Sequence, residues 1–466
     1  MGRFLFHGLG LALASFSALL PAAWAIPPLP RPGGAAAVPI PDCAWLVKSN
    51  TTVSNWALPN GATTYWSHAY RLAPGEQLEV LADFPGRPGR ATRFFSYQNY
   101  DLFGVSIDTL FDGQIQPLKP GQLNPYTPRG AVDPSYGRYR VVISHRQGGP
   151  SAANQMRAYP ESPAQVNHAN GEAPYAVLML RYILAPDHKI NEDRFGPGEG
   201  PSAGAGGQGG VPLPQLTLVD AQNRRRPIPS CSPDVRAAYA RQADPGRLAL
   251  QLVFFQENGP VFVRPAETQG VYPNDANAYL VAQATYEPGV ALLLEGRVPR
   301  TPNTLGGEAP GDRRQQLRYW SICVNENAYP IPVTTPHGCL DDQQVLHGPG
   351  RSGDRFRALV VRASDLERQL TPAQRLALRQ AGIFVLDWFT EDPDNPAATP
   401  TSSPITLLLR NVPSGRKPER FRSQAQFVTP GSKPDHAESV MGDYAVRIRR
   451  VPLATLAEEL RRSGGS

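Results

Sequence analysis

Hydrophobic residues in this chain come in short runs broken by turn signals, a pattern that predicts strands. Residues 62–71 and 77–83 are two strand-length runs separated by Ala73-Pro74-Gly75. Proline suits the first corner of a tight turn and glycine the position that needs positive φ. Further strands are predicted at 93–97, 139–144 and 175–184, all rich in aromatic and β-branched residues. The same kinds of run recur at 279–286, 291–297, 318–324, 356–361 and 405–409. Two helices are expected. Thr371-Pro372 opens one that Gly382 closes, and Leu453, Leu456 and Leu460 form the stripe of a short terminal one.

The pattern repeats once. Residues 59–85 align without a gap on 273–299, and eight of the 27 positions are identical, including Tyr65/Tyr279, Pro74/Pro288, Gly75/Gly289 and Leu78/Leu292. Later segments recur in the same order. Arg93-Phe94-Phe95-Ser96 matches Arg318-Tyr319-Trp320-Ser321, Arg138-Tyr139-Arg140 matches Arg355-Phe356-Arg357, and Leu180-Arg181 matches Leu409-Arg410. A repeat of this length implies two domains of one fold rather than a solenoid. The expected architecture is all-β: two related antiparallel β-sandwich modules, jelly-roll-like, from an internal duplication, with few short helices. The modules are placed at 43–230 and 231–466. Extra loop length is expected in the second, because Arg93 follows Pro85 by 8 residues and Arg318 follows Pro299 by 19.

Composition adds the compartment. Arg3, the apolar run Phe4–Leu20 and Ala23-Trp24-Ala25 read as a signal peptide spanning 1–25, cleaved before Ile26. A Pro-rich segment, 26–42, follows. No later run approaches the ~20 apolar residues of a membrane helix. The mature chain is therefore expected to be periplasmic or extracellular, without a transmembrane segment. Loss of Arg3 lowers the net charge from +6 to +5. The short basic clusters, such as Arg447-Ile448-Arg449-Arg450, are not interleaved with aromatics as in nucleic-acid readers, so no nucleic-acid partner is implied. The 50 Pro and 43 Gly favour strands and turns over helices. The four cysteines suggest two disulfides, Cys323–Cys339 around a Pro-rich loop and Cys43–Cys231. With no C-x-x-C, zinc is not expected.

No catalytic motif stands in its proper context. Gly200-Pro201-Ser202-Ala203-Gly204 and the Gly204, Gly206, Gly209 set lie in a low-complexity loop without the strand and helix those chemistries need. The histidines are scattered, and Asp187-His188 with Glu192-Asp193 lacks EF-hand spacing, so neither metal nor cofactor is implied. The densest polar cluster runs from Arg318 to Asn327. Alternation would turn Arg318, Trp320, Ile322 and Val324 to one face. Such a strand reads either as core plus disulfide or as a pocket in which Arg318, Trp320 and Asn325, with Asp341 and Asp342 brought near by the disulfide, bind a polar ligand.

Arg318–Asn327 (RYWSICVNEN), GCLDDQQV after it, Gly209–Leu218, Leu407–Pro413 and Ser439–Tyr444 (SVMGDY) resemble a family of secreted bacterial proteins of unknown function. That family shares R-Y-W-S-x-C and M-G-D-Y segments. The resemblance implies β-sandwich modules and an exported location, and no activity. Two functions remain open on the sequence. One is a non-catalytic protein of the envelope that binds a small molecule or an envelope component. The other is a hydrolase or isomerase whose site gathers distant residues such as Arg318, Asp341, Asp342, His145 and Tyr444.

Overall fold

The computed structural model describes residues 40–50, 59–101, 104–132, 136–145, 153–160, 174–184, 211–242, 259–266, 273–311, 314–326, 331–332, 338–348, 353–388, 405–413, 425–433, 435–456 and 458. The expected signal peptide, the glycine motifs of 200–209, the Asp187–Asp193 cluster and Leu460 lie outside the described residues.

The protein is built from strands in several, mostly antiparallel, sheets with few short helices. The first half has an inner sheet of β1 (Val47–Ser49), β2 (Thr63–Tyr70), β10 (Ala176–Ile183), β6 (Phe94–Asp101) and β7 (Ser106–Phe111), in that order. Its outer sheet runs β12 (Arg225–Ile228), β11 (Gln215–Val219), β3 (Gln77–Asp83), β8 (Arg138–Ser144) and β9 (Gln155–Arg157). A small hairpin, β4 (Gly86–Arg87) and β5 (Arg90–Ala91), stands apart. In the second half the inner sheet is β13 (Ala278–Ala284), β20 (Ile405–Pro413), β15 (Leu317–Glu326) and β16 (Ile331–Pro332), with β17 (Cys339–Asp341) also on β15. The outer sheet is β19 (Ile383–Asp387), β18 (Arg355–Val361), β14 (Val290–Arg297) and β21 (Arg447–Pro452).

Each half buries one face of its inner sheet against one face of its outer sheet. Trp66, Leu180, Phe95 and Tyr97 meet Leu78, Val80, Tyr139 and Val141 in the first core. Leu280, Trp320, Ile322 and Leu409 meet Leu292, Leu294, Phe356 and Val360 in the second. Cores of this kind are stabilised at about 25 cal/mol per Å² of apolar surface removed from water.

The two halves share one strand order. The three-strand unit β2-β10-β6 corresponds to β13-β20-β15, and β11-β3-β8-β9 to β21-β14-β18-β19. The 214-residue offset places β2 on β13 and β3 on β14, and the turns between them carry Gly75 at φ +87° and Gly289 at φ +76°. The antiparallel expectation fails at one place per half: β8–β9 and β18–β19 are parallel, and the second crosses over through two helices. The stretch between Pro299 and Leu317 contains no described strand, whereas hairpin β4–β5 occupies the corresponding part of the first half.

The described helices are α1 (Pro233–Gln242), α2 (Asp342–His347), α3 (Ala363–Gln369), α4 (Pro372–Gln380) and α5 (Asp435–Met441), and 453–456 are helical too. Helix α4 starts where the sequence places it: the Thr371 hydroxyl accepts the Gln374 amide, and Gly382 leaves at φ +72°. Leu453 and Leu456 pack with α3 and α4 residues on the far face of the second outer sheet. Both disulfides, Cys43–Cys231 and Cys323–Cys339, are formed. No described helix is long and apolar enough to cross a membrane.

Candidate functional site

The other faces of the two inner sheets are buried against the opposite half, and this seam holds an unusual share of polar groups. In the first half Tyr65, Arg181 and Ser96 stand side by side on β2, β10 and β6. In the second half Tyr279, Arg410 and Ser321 stand in the corresponding places on β13, β20 and β15. Arg181 and Arg410 are both buried. The Arg181 guanidinium lies over the Tyr65 and Tyr100 rings, 4.8 and 5.4 Å from their centroids, and donates to Gln98 Oε1 at 2.9 Å. Burial pushes the Tyr100 and Tyr279 phenols up, while Arg181 pulls them down. The halves touch directly: Tyr100 Oη donates to the Pro273 carbonyl at 2.6 Å, and Asn60 Nδ2 donates to Ser321 Oγ at 3.4 Å. Phe94 and Ile183 pack with Tyr319 and Val412.

Two arginine–aspartate pairs cross this seam in opposite directions. Arg93, before β6, donates to Asp342, Gln343 and Thr304 of the second half. Arg318 of β15 lies 3.6 Å from Asp112 Oδ2 of the first half and donates to the Tyr126 carbonyl at 3.0 Å. Each aspartate also holds its own half. Asp342 accepts the Trp320 amide at 2.8 Å, and Asp112 accepts the Phe95 amide at 3.4 Å. Phe95 and Trp320 are each two residues past the matched arginines. Asp112 follows β7 and Asp342 follows β17, strands that pair with β6 and β15. All four charged side chains are at most 3% exposed. Burial raises both carboxyls to about 6, with Arg318 and Arg93 acting in the opposite sense. Desolvation of two buried pairs is expensive, so removing one partner is far costlier than the pair is stabilising.

The residues singled out from sequence are accounted for individually. Trp320 is in the second core and stacks edge-on against Phe356 at 5.2 Å. Arg318 does not share its face. A register shift between Leu317 and Tyr319 interrupts the alternation and releases Arg318 to the seam. Asn325 Nδ2 donates to the Cys323 and Thr406 carbonyls, both at 3.2 Å. Asp341 caps α2 by accepting the Gln344 amide, and Asp342 belongs to the crossed pairs. His145 rests against Tyr159 and bonds the Leu72 carbonyl at 2.8 Å, while Tyr444 lies under Arg297. Asp342 lies beside the Arg318 strand and accepts the Trp320 amide, and all five ligand candidates are buried. Among the described residues no group of three His, Cys, Asp or Glu side chains could hold a metal. Sequence reasoning missed Arg93 and Asp112; the match of Arg93 to Arg318 was the signal that could have found the first.

An open cleft lies elsewhere, at the end of the second outer sheet. It measures about 420 Å³ and is bordered by Glu295, Gly296, Arg355, Phe356, Arg357 and Phe384. The outward row beside it is unusually basic. Register places Arg447, Glu295 and Arg357 in one row, Arg297 and Arg355 in the next, and Arg449 beyond Arg447 on the same face. The ion pairs here are exposed: Arg297–Asp354, Arg355–Asp443, Arg447–Glu438 and Arg449–Glu295.

No family model matches the chain, and no curated protein matches it. Among solved structures, an uncharacterized protein from Burkholderia cenocepacia is similar at 12% identity and a TM-score of 0.44, over 89% of this chain and 84% of that one. The VPA0106 protein from Vibrio parahaemolyticus is similar at 7% identity and a TM-score of 0.32, over 84% of this chain and 89% of that one.

Proposed function

We propose that this is an exported, non-catalytic binding protein of the cell envelope, built from two copies of one module locked face to face. One observation carries the reading. The charged groups that could have formed a dispersed active site, Arg318 and Asp342, are buried in pairs that join the halves, while the open cleft is bordered by arginine, glutamate and phenylalanine. Side chains fully engaged in holding two sheets together are poorly placed to reach a substrate, whereas an open cleft with arginine and glutamate at its border leaves such groups within reach of a ligand. The leader-like N-terminus and the two disulfides support export. The common strand order, the paired glycine turns and the reciprocal Arg–Asp pairs support an internal duplication. The sequence resemblance to secreted proteins of unknown function agrees with both.

Two measurements test the reading. The mature protein purified from the exported fraction should begin at Ile26 on N-terminal sequencing. A thermal-shift screen of that protein against sugars, organic acids and envelope polymers should return a ligand that is not consumed. Turnover of such a ligand, lost in folded Asp341→Asn or His145→Gln variants, would overturn the non-catalytic assignment.

A further inference from the structure

The outer face of the second half has a chemistry that the binding reading above does not specify, and the inference rests on that reading. Five arginines, Arg297, Arg355, Arg357, Arg447 and Arg449, surround one glutamate, Glu295, on three adjacent strands. Neighbouring strands lie about 4.8 Å apart and alternate residues about 7 Å apart along a strand, so the guanidiniums form a two-dimensional grid rather than a point charge. Arg297 is held firmly, by two nitrogens on Asp354 and over the Tyr444 ring, while the other four are held loosely. Arg355, Arg447 and Arg449 are 73%, 64% and 62% exposed in their ion pairs, and Arg357 donates to the Ala381 carbonyl at 3.1 Å. Exposed pairs of this kind contribute between ~0 and 1 kcal/mol, so a ligand carboxylate can displace the protein's own at little cost. Guanidinium forks match carboxylates in a bidentate fashion that ammonium groups cannot reproduce.

The cleft extends this grid. Arg355, Arg357 and Glu295 belong to both. Its walls include Gly296, Gly353 and Gly382, which contribute no side chain, and its apolar lining comes from Phe356, Phe384 and Val345. Phe356 and Val345 are buried, so the aromatic surface left beside the arginines and the carboxylate is that of Phe384, enough for one ring that presents an apolar face, hydroxyls and an acid together. The matched positions of the first half show what the same strands look like without this equipment. Arg138 and Arg140 stand where Arg355 and Arg357 do, but Leu81, Asp83, Gln215 and Thr217 replace Glu295, Arg297, Arg447 and Arg449.

We propose that the arginine-bearing face of β14, β18 and β21, with the cleft at its end, binds a linear polysaccharide whose sugars carry carboxylates. A repeating acid matches a grid of guanidiniums, and one sugar of the chain enters the cleft. An anionic lipid surface is the less suited partner, because none of the large exposed hydrophobic residues, such as Leu118, Val132 or Leu376, lies on these strands to enter a bilayer.

The test uses the mature full-length protein, with polygalacturonate, neutral dextran and phosphatidylglycerol vesicles as probes in titration calorimetry at low and moderate salt. Polygalacturonate binding that weakens with salt, with no response to dextran, is expected. Arg355→Gln/Arg357→Gln should weaken it by about tenfold or more, each lost charge-assisted contact costing severalfold. Arg138→Gln/Arg140→Gln, on the first half, should leave it unchanged. Unfolding curves of both variants should overlay the parent, since the altered side chains are at the surface. No binding to polygalacturonate, binding equal in the two double variants, or binding to vesicles alone would each overturn the inference. A different ligand, found by the thermal-shift screen and indifferent to Arg355 and Arg357, would overturn it while leaving the binding-protein reading intact.

Discussion

The outer sheets of the two halves run through the same strands in the same order, yet their outward faces differ. In the first half, Glu79 of β3 is buried and pairs with Arg225 of β12, and Arg138 pairs with Asp83 at 3.7 Å. In the second half, the position matching Glu79 is Leu293, which packs under α3, α4 and the 453–456 helix together with Leu359, Leu366, Leu378 and Leu453. One end of that face is thus roofed by helices and the other carries the arginine grid. Across the seam the matched positions are mixed: Tyr65/Tyr279, Arg181/Arg410, Ser96/Ser321 and Arg93/Arg318 are the same residue types, whereas Cys323 and Asn325 stand where the first half has Gln98 and Tyr100. A buried polar row can change only if every partner changes with it, because an unpartnered buried group costs about 1–3 kcal/mol. An outward row facing solvent or a helix is under no such mutual restraint.

The contrast between the polar seam and the outward faces is broken most severely at the crossed pairs. Asp342→Ala should destabilise the protein by about 3–5 kcal/mol in urea unfolding, since Arg93 is left buried without its partner. Asp112→Ala should cost less, because Arg318 lies 3.6 Å from its carboxylate and keeps its bond to the Tyr126 carbonyl. Equal losses would show that the two crossings are energetically alike despite their geometry. Acidity sharpens the point. Both carboxyls are raised from 3.8 to about 6 by burial, so the folded protein binds protons more readily than the unfolded chain between those values. Their contribution to stability is full below about pH 4 and is lost as pH rises through about 6. The Asp112→Asn/Asp342→Asn variant should therefore show a flatter dependence of unfolding free energy between pH 4 and 7 than the parent. A variant slope equal to the parent's would assign the dependence to other groups.

A middle-sized effect is expected at Cys323–Cys339, the disulfide for which the first half has no counterpart. It closes a span of 16 residues beside Asp342, and replacing both cysteines by serine should cost about 3 kcal/mol in the chain-entropy account. Unfolding with and without reductant would measure it; an unchanged midpoint in the double variant would remove the disulfide from the stability of the second half.

The smallest effect separates the two matched turns. Gly75 and Gly289 both have positive φ, so alanine costs about 1–2 kcal/mol at either from backbone strain alone. At Gly75 a new Cβ would also stand 2.9 Å from the Ala221 Cβ, whereas at Gly289 the nearest atom is Gln369 Nε2 at 3.9 Å. Gly75→Ala should thus lower Tm more than Gly289→Ala, and equal shifts would mean that the β11–β12 turn yields.

What the sequence determined by itself was local. Pro-Gly turns, the Thr371 cap with its Gln374 partner, and runs of aromatic and β-branched residues set strand and helix positions because a few neighbouring backbone angles decide them. The matching corners were legible for the same reason, since Pro74-Gly75 and Pro288-Gly289 each turn the chain from one strand to the next. Other strands were not legible. Arg447–Pro452 reads as a basic cluster and is an edge strand, where solvated charges are tolerated and discourage further pairing. Ile383–Asp387 is short, and its pairing is parallel, formed only after two helices return the chain. The predicted alternation failed at Arg318 because it assumes an unbroken ladder, and the shift at Leu317/Tyr319 moves that one side chain away from Trp320. The tertiary structure alone decided that Arg93 meets Asp342 across 249 residues and that Arg318 faces Asp112. It alone lined up five arginines from three strands on one face, because cross-strand neighbours depend on how distant segments pair, which no local preference encodes.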